Sequence, residues 1–168
     1  MIKIRKHTFD EVEDIQQIFF ESSTKTHFAS LTEKEQFMYK YLGLYVEMYP
    51  EFFFVAEVDH ELVGYICGAP ETLTPFFLSK QPHLDQFSSE YLHFPAHLHI
   101  NLSEGARGNG LGGKLVEKFC SELNKINISG VHIITSPKAR NTHFYKRLGF
   151  SFVKENSSNS LLFMGKKL

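Results

Sequence analysis

Seven residues, Arg107-Gly108-Asn109-Gly110-Leu111-Gly112-Gly113, constrain this chain more than any others. Ahead of them Ala96-His97-Leu98-His99-Ile100-Asn101-Leu102 reads as a strand, and behind them Leu115, Val116, Phe119, Cys120 and Leu123 recur on one helical face. A glycine-rich turn between a strand and a helix lets backbone N–H groups approach an anion closely, at the positive end of the helix dipole. A phosphate-bearing ligand is the expectation here.

Two phosphate-binding patterns overlap in the turn. Gly108-x-Gly110-x-x-Gly113 matches the dinucleotide fingerprint, which opens a βαβ unit and needs an acidic residue about 20 residues on for the ribose. The next strand, residues 131–135, ends in Thr135-Ser136-Pro137 without an acid, and too little chain follows for a second mononucleotide half. A Walker loop fails because no Gly-Lys-Ser/Thr closes it. The pattern that remains is Arg107-x-x-Gly110-x-Gly112.

With 168 residues the chain is the size of one domain and can bury a sizeable core. A net charge of −1 favours neither nucleic acid nor an anionic membrane as a bulk partner. No apolar run approaches the roughly 20 residues of a spanning helix, and the first residues do not read as a signal peptide, so a cytoplasmic protein is expected. Cys67 and Cys120 both sit in apolar segments and read as buried free thiols. The 17 Phe and 7 Tyr point first to a Phe-rich core and second to an aromatic-lined pocket.

In chain order, residues 2–6 alternate as a strand, and Thr8 with Glu11 opens a helix carrying Val12, Ile15, Ile18 and Phe19. Thr32 with Glu35 predicts a second capped helix, with Phe37, Tyr41, Leu44, Tyr45 and Met48 on one side, ending at Pro50. Residues 52–58 and 62–68 read as a hairpin. Residues 69–95, punctuated by Pro70, Pro75, Pro82 and Pro95, read as a long insertion, either a lid or pocket wall or a surface excursion. A strand over 131–135, a helix over 139–148 closed by Gly149, and a hairpin of 150–154 with 161–164 complete the order β-α-α-β-β-β-α-β-α-β-β.

That order, the Arg107-x-x-Gly110-x-Gly112 loop and Asn141-Thr142-His143-Phe144-Tyr145-Lys146-Arg147-Leu148-Gly149-Phe150 together resemble the GCN5-related N-acetyltransferases (GNAT), nearly end to end. The Asn…Phe-Tyr-x-x-x-Gly-Phe signature departs in one respect: Asn141 precedes Tyr145 by four residues, where many members place it about two turns ahead. The resemblance implies a single α/β domain over 1–168. Its mixed sheet would have about seven strands, splayed between the fourth and fifth and flanked by about four helices. It also implies acetyl-CoA as co-substrate, with the pyrophosphate on Arg107, Gly108, Asn109, Gly110, Leu111, Gly112 and Gly113. Pantetheine would lie along the splayed strands near Leu102, with Asn141 as a further contact. Lys138, Arg140 and Lys146 are candidates for the 3′-phosphate or simply a solvated helix face.

Acetyl transfer to an amine needs a deprotonated nitrogen, alignment, oxyanion stabilisation and a proton for the thiolate. The resemblance makes Tyr145 the general acid; the competing reading is an aromatic packed against the sheet. His97, His99 and Asn101 share one face of their strand, and His99, then His97, are the candidate proton acceptors. Arylalkylamine acetyltransferases of the superfamily are similar, with a His-Leu-His run on the same strand. Acids at Glu71, Asp85 and Glu90 cannot be placed from sequence. His97-x-His99 lacks a third ligand for a metal, and no metal is expected. Cys120 lies on an apolar helical stripe and reads as core rather than nucleophile. The expected activity is acetylation of a small-molecule amine, or of a peptide or protein amine, by direct attack in a ternary complex. A non-catalytic acyl-CoA-binding sensor is the alternative, and a homodimer is left open.

Overall fold

Alternation in residues 2–6 produces β1 (Ile2–Lys6), whose Arg5 is clamped between two carboxylates, Glu11 and Glu57. Glu11 also accepts the Thr8 backbone N–H at 2.7 Å, tying the strand to the start of α1 (Val12–Ser22), which buries Ile15, Ile18 and Phe19. These and all further features come from a computed structural model. It describes the backbone of residues 1–168 and the side chains of all but Lys80 and Pro82.

The second helix begins earlier than Thr32 and Glu35 suggest. Ser30 is its N-cap, accepting the Glu33 N–H at 3.1 Å, while Glu33 accepts the Ala29 N–H at 2.6 Å. Ser30-x-x-Glu33 is an equally good capping box two residues upstream, and it wins because Leu31 can then join the helix. The helix is also interrupted: α2 (Leu31–Met38) passes through a π-helical segment, Tyr39–Gly43, into α3 (Leu44–Met48) before Pro50. Pro50–Phe52 forms a 3₁₀ turn, so β2 (Phe54–Val58) starts two residues later than the run of phenylalanines suggests. Asp59 (φ 50°) and His60 (φ 72°) take the left-handed geometry of a tight hairpin turn into β3 (Glu61–Ala69).

Residues 69–95 contain short helices and buried aromatics. They carry α4 (Pro75–Lys80) and 3₁₀ turns at Pro82–Phe87 and Glu90–Leu92, and Phe77, Phe87, Tyr91 and Phe94 are buried. Phe94 lies so close to the backbone that a Cβ at Gly130 or Gly165 would come within 2.8 Å of its ring. The remaining elements are β4 (Ala96–Leu102), α5 (Leu111–Lys125), β5 (Gly130–Thr135), α6 (Thr142–Arg147), β6 (Phe152–Glu155) and β7 (Leu162–Lys167). The last helix is shorter than the 139–148 expected from sequence, because residues 136–141 close two turns before it starts.

The strands form one mixed sheet in the order β1-β2-β3-β4-β5-β7-β6. β4 runs parallel to β5 with Ala96 opposite Val131 and His97 opposite His132; β5–β7 and β6–β7 are antiparallel. The chain divides into two compact units, residues 1–68 with 99–119, and residues 69–98 with 120–168. The first centres on Ile15, Leu42, Tyr45, Phe53, Tyr65 and Phe119, the second on Phe77, Phe87, Val131, Phe150 and Phe163. Cys67 and Cys120 are both buried, and burial pushes the Cys67 thiol up. Among the described residues no helix is long and apolar enough to cross a membrane.

Candidate active site

The glycine turn has the backbone its sequence demands. Gly108 (φ 84°) and Gly110 (φ 77°) are left-handed, a region that costs other residues roughly 1–2 kcal/mol. A Cβ at either would meet nothing within 4 Å, so these glycines serve the backbone path and not packing within the protein. Gly110 O accepts the first helical bond, from Lys114 N, at 3.2 Å. The N–H groups of Leu111, Gly112 and Gly113 form the first turn of α5, which has no acceptors of its own for them. Curved backbone, open flank and spare donors together fit a pyrophosphate.

Arg107 is anchored to the end of β4 and to α1. Its Nε donates to Leu102 O at 3.1 Å and its Nη2 to Ser22 Oγ at 3.3 Å, while Ser22 Oγ donates to Leu102 O at 3.2 Å. Arg107 and Ser22 thus fix the end of β4 through the Leu102 carbonyl. Nothing local in the sequence marks Ser22 for this, since it lies 80 residues from Leu102.

The polar row on β4 meets three different partners. His97 Nδ1 lies 2.7 Å from Thr72 Oγ1, whose own proton goes to Pro95 O at 2.8 Å. His97 Nδ1–H must therefore donate to Thr72, which ties the start of the 69–95 segment to its end. His99 Nε2 is hydrogen-bonded to Tyr45 Oη at 3.0 Å, with the Tyr41 ring edge-on at 5.8 Å. The π-helical segment brings these two tyrosines, four residues apart, onto the same imidazole. Burial, reinforced by the Lys40 charge, pushes His99 down to about 4. Asn101 Nδ2 donates to Tyr65 Oη at 2.7 Å. Tyr41, Tyr45, Tyr65 and Thr72 read as core or linker residues in the sequence; only the fold gives them polar partners. His132 is a further buried imidazole, donating from Nδ1 to Phe94 O at 2.7 Å and stacked on Phe163.

The Asn…Phe-Tyr-x-x-x-Gly-Phe signature is a helix terminus. Gly149 N donates to Lys146 O and Phe150 N to Tyr145 O, both at 3.1 Å, which is a Schellman motif with Gly149 (φ 88°) at C′. Its usual apolar contact is made by Tyr145 against Phe150, ring centroids 5.2 Å apart. Tyr145 is buried to 5% exposure, and among the described residues nothing hydrogen-bonds its hydroxyl. Burial raises its pKa, so the phenol stays protonated throughout the neutral range. Asn141 precedes α6 and is exposed, its Oδ1 accepting from Thr135 Oγ1 at 3.2 Å; Lys138, Arg140 and Lys146 are exposed too. Among the described residues no group of three or more His, Cys, Asp or Glu side chains is placed to hold a metal ion.

A family model for the acetyltransferase (GNAT) domain matches residues 50–152, which include the glycine turn and the Tyr145–Phe150 terminus. The chain belongs to the GNAT acetyltransferases. Solved structures share its fold along nearly the whole of both chains. The protein called SsHAT superposes with a TM-score of 0.78 at 22% identity, over 99% of this chain and 98% of that one. PaiA N-acetyltransferase from Thermoplasma acidophilum, in complex with coenzyme A, gives 0.69 at 17% identity over 100% and 99%. YncA from Salmonella typhimurium, with acetyl-CoA, gives 0.64 at 14% identity over 99% and 94%.

Proposed function

We propose that the protein is a single-domain, acetyl-CoA-dependent N-acetyltransferase acting on the amine of a small molecule. The observation that carries this reading is the turn Arg107–Gly113, whose left-handed glycines and open flank leave backbone donors for a pyrophosphate at the N-terminus of α5. When bound, acetyl-CoA supplies an acetyl group activated as a thioester.

The chain's own residues supply the rest. Gly108 to Gly113 hold phosphate oxygens through N–H groups, and Arg107 with Ser22 keeps Leu102 in place. Tyr145 Oη holds a proton at neutral pH and, with no protein partner among the described residues, is the group we assign as general acid. His99 is neutral at pH 7 but too weakly basic, at about 4, to strip an ammonium efficiently. We therefore assign it, with Tyr45, to positioning; the amine reacts from its neutral fraction. Thr72 joins the two ends of the 69–95 segment by donating to Pro95 O, and His97 Nδ1 donates to Thr72 Oγ1.

The test is to mix the protein with acetyl-CoA and a panel of small amines while measuring free thiol and acetylated product. Thiol release that depends on an amine supports the reading. Tight acetyl-CoA binding without transfer to any amine would favour a non-catalytic acyl-CoA sensor.

A further inference from the structure

The end of α1 and the start of α2 line an open surface depression of about 550 Å³. The half-buried Phe20 and Phe28 and the exposed Leu31 give it an apolar side, Lys25, His27 and Lys34 line the rest with Thr26 and Ser30, and no lining residue is acidic. The two lysines are not equivalent. Lys25 Nζ is paired with Glu33 at 2.7 Å, which offsets much of its charge. Lys34 Nζ lies 4.5 Å from the Phe20 ring centroid, and among the described residues no carboxylate pairs with it.

A cation parked on an aromatic face beside an apolar wall recognises a ligand whose anionic group adjoins an apolar body. It repels a second ammonium. The same stretch reaches the glycine turn, since Ser22, two residues beyond Phe20, is hydrogen-bonded to both Leu102 and Arg107. Pocket and turn are therefore parts of one compact unit.

Building on the acetyltransferase reading above, we propose that this pocket sets the acceptor class: an amine that also bears a carboxylate and an aromatic or branched apolar group, as an aromatic amino acid does. In the transfer the acetyl carbon–sulfur bond breaks as the carbon–nitrogen bond forms, and the proton lost by nitrogen is balanced by one gained at sulfur. A polyamine is a poor fit, because its remaining charges meet Lys34, which no carboxylate pairs among the described residues.

Two measurements test this. The first compares acetyl-CoA-dependent thiol release with phenylalanine, phenethylamine and spermidine. Phenylalanine is expected to lead in kcat/KM by about tenfold, the weight of one charge-assisted contact. Lys34→Gln should raise its KM about tenfold while leaving the KM values for acetyl-CoA and phenethylamine within about twofold, and Lys34→Glu should invert the preference toward phenethylamine. The second measures calorimetric binding of 3-phenylpropionate, which has no amine, against 3-phenylpropanol. The acid should bind more tightly and lose that advantage in Lys34→Gln. Preference for spermidine, or indifference to both Lys34 variants, overturns the proposal. If no amine is acetylated although 3-phenylpropionate binds through Lys34, the acceptor assignment falls with the transferase reading. If transfer occurs but 3-phenylpropionate does not bind, the pocket assignment alone falls.

Discussion

At the scale of single residues, Tyr145 and His99 carry the sharpest predictions. Tyr145→Phe keeps the ring against Phe150 and removes the proton, so turnover should fall roughly 10²–10⁴-fold while acetyl-CoA affinity changes little. Pre-steady-state rates with titrated acetyl-CoA separate the two; unchanged turnover under rate-limiting chemistry makes Tyr145 a packing residue. His99 is read differently from sequence and from structure. As an ordinary imidazole it would place the acidic limb of kcat/KM near pH 6.5. Held at about 4 by burial and the Lys40 charge, it places no limb there, so His99→Ala should leave any limb above about pH 5 where it was. Its folded-state pKa is depressed, so between about 4 and 6.5 the unfolded chain binds the extra proton. Stability should therefore decline as pH falls through that window, by at most about 3 kcal/mol, and His99→Gln should flatten the decline in urea titrations.

At the scale of elements, the two glycine-dependent termini can be tested apart from catalysis. Gly149→Ala places a Cβ at φ 88°, 3.2 Å from Lys166 Nζ, and should cost about 1–2 kcal/mol by chemical denaturation. Gly110→Val also strains a left-handed position, but its side chain enters open space. The informative readout there is ligand linkage: the variant should fold yet lose the thermal shift given by acetyl-CoA. A variant that keeps the full shift would move the pyrophosphate site elsewhere. The N-cap is a third case. Ser30→Ala should destabilise by about 0.5–2 kcal/mol, whereas Thr32→Ala should cost less, because Ser30 and not Thr32 accepts the Glu33 N–H.

For the whole molecule, a ligand that binds only the folded chain adds RT ln(1 + [L]/Kd) to its stability. At 100 times Kd, acetyl-CoA should contribute about 2.7 kcal/mol, or roughly 5–10 °C in Tm for a chain of this length. Coenzyme A should act in the same direction and NAD should not. An NAD shift without a coenzyme A shift would contradict the reading of the Arg107–Gly113 turn.

What the amino-acid sequence determined by itself is whatever depends on neighbours along the chain. The strand, turn and helix around Gly110 follow from alternation, glycine and helical spacing, and the two motifs with the element order were enough to identify the family. The Tyr145–Phe150 terminus is legible for the same reason, because a Schellman motif is made within six residues. Tertiary structure decided the rest. Thr72 meets His97; Tyr45 and the Lys40 charge change what His99 can do; Ser22 meets Leu102 across 80 residues. The 69–95 segment likewise reads only as a long insertion because its buried aromatics follow no single period: Phe77 lies in α4, Phe87 and Tyr91 in two 3₁₀ turns, and Phe94 beyond them. Local propensity and spacing are written in consecutive residues, but a hydrogen-bond partner or a depressed pKa belongs to groups that only folding brings together.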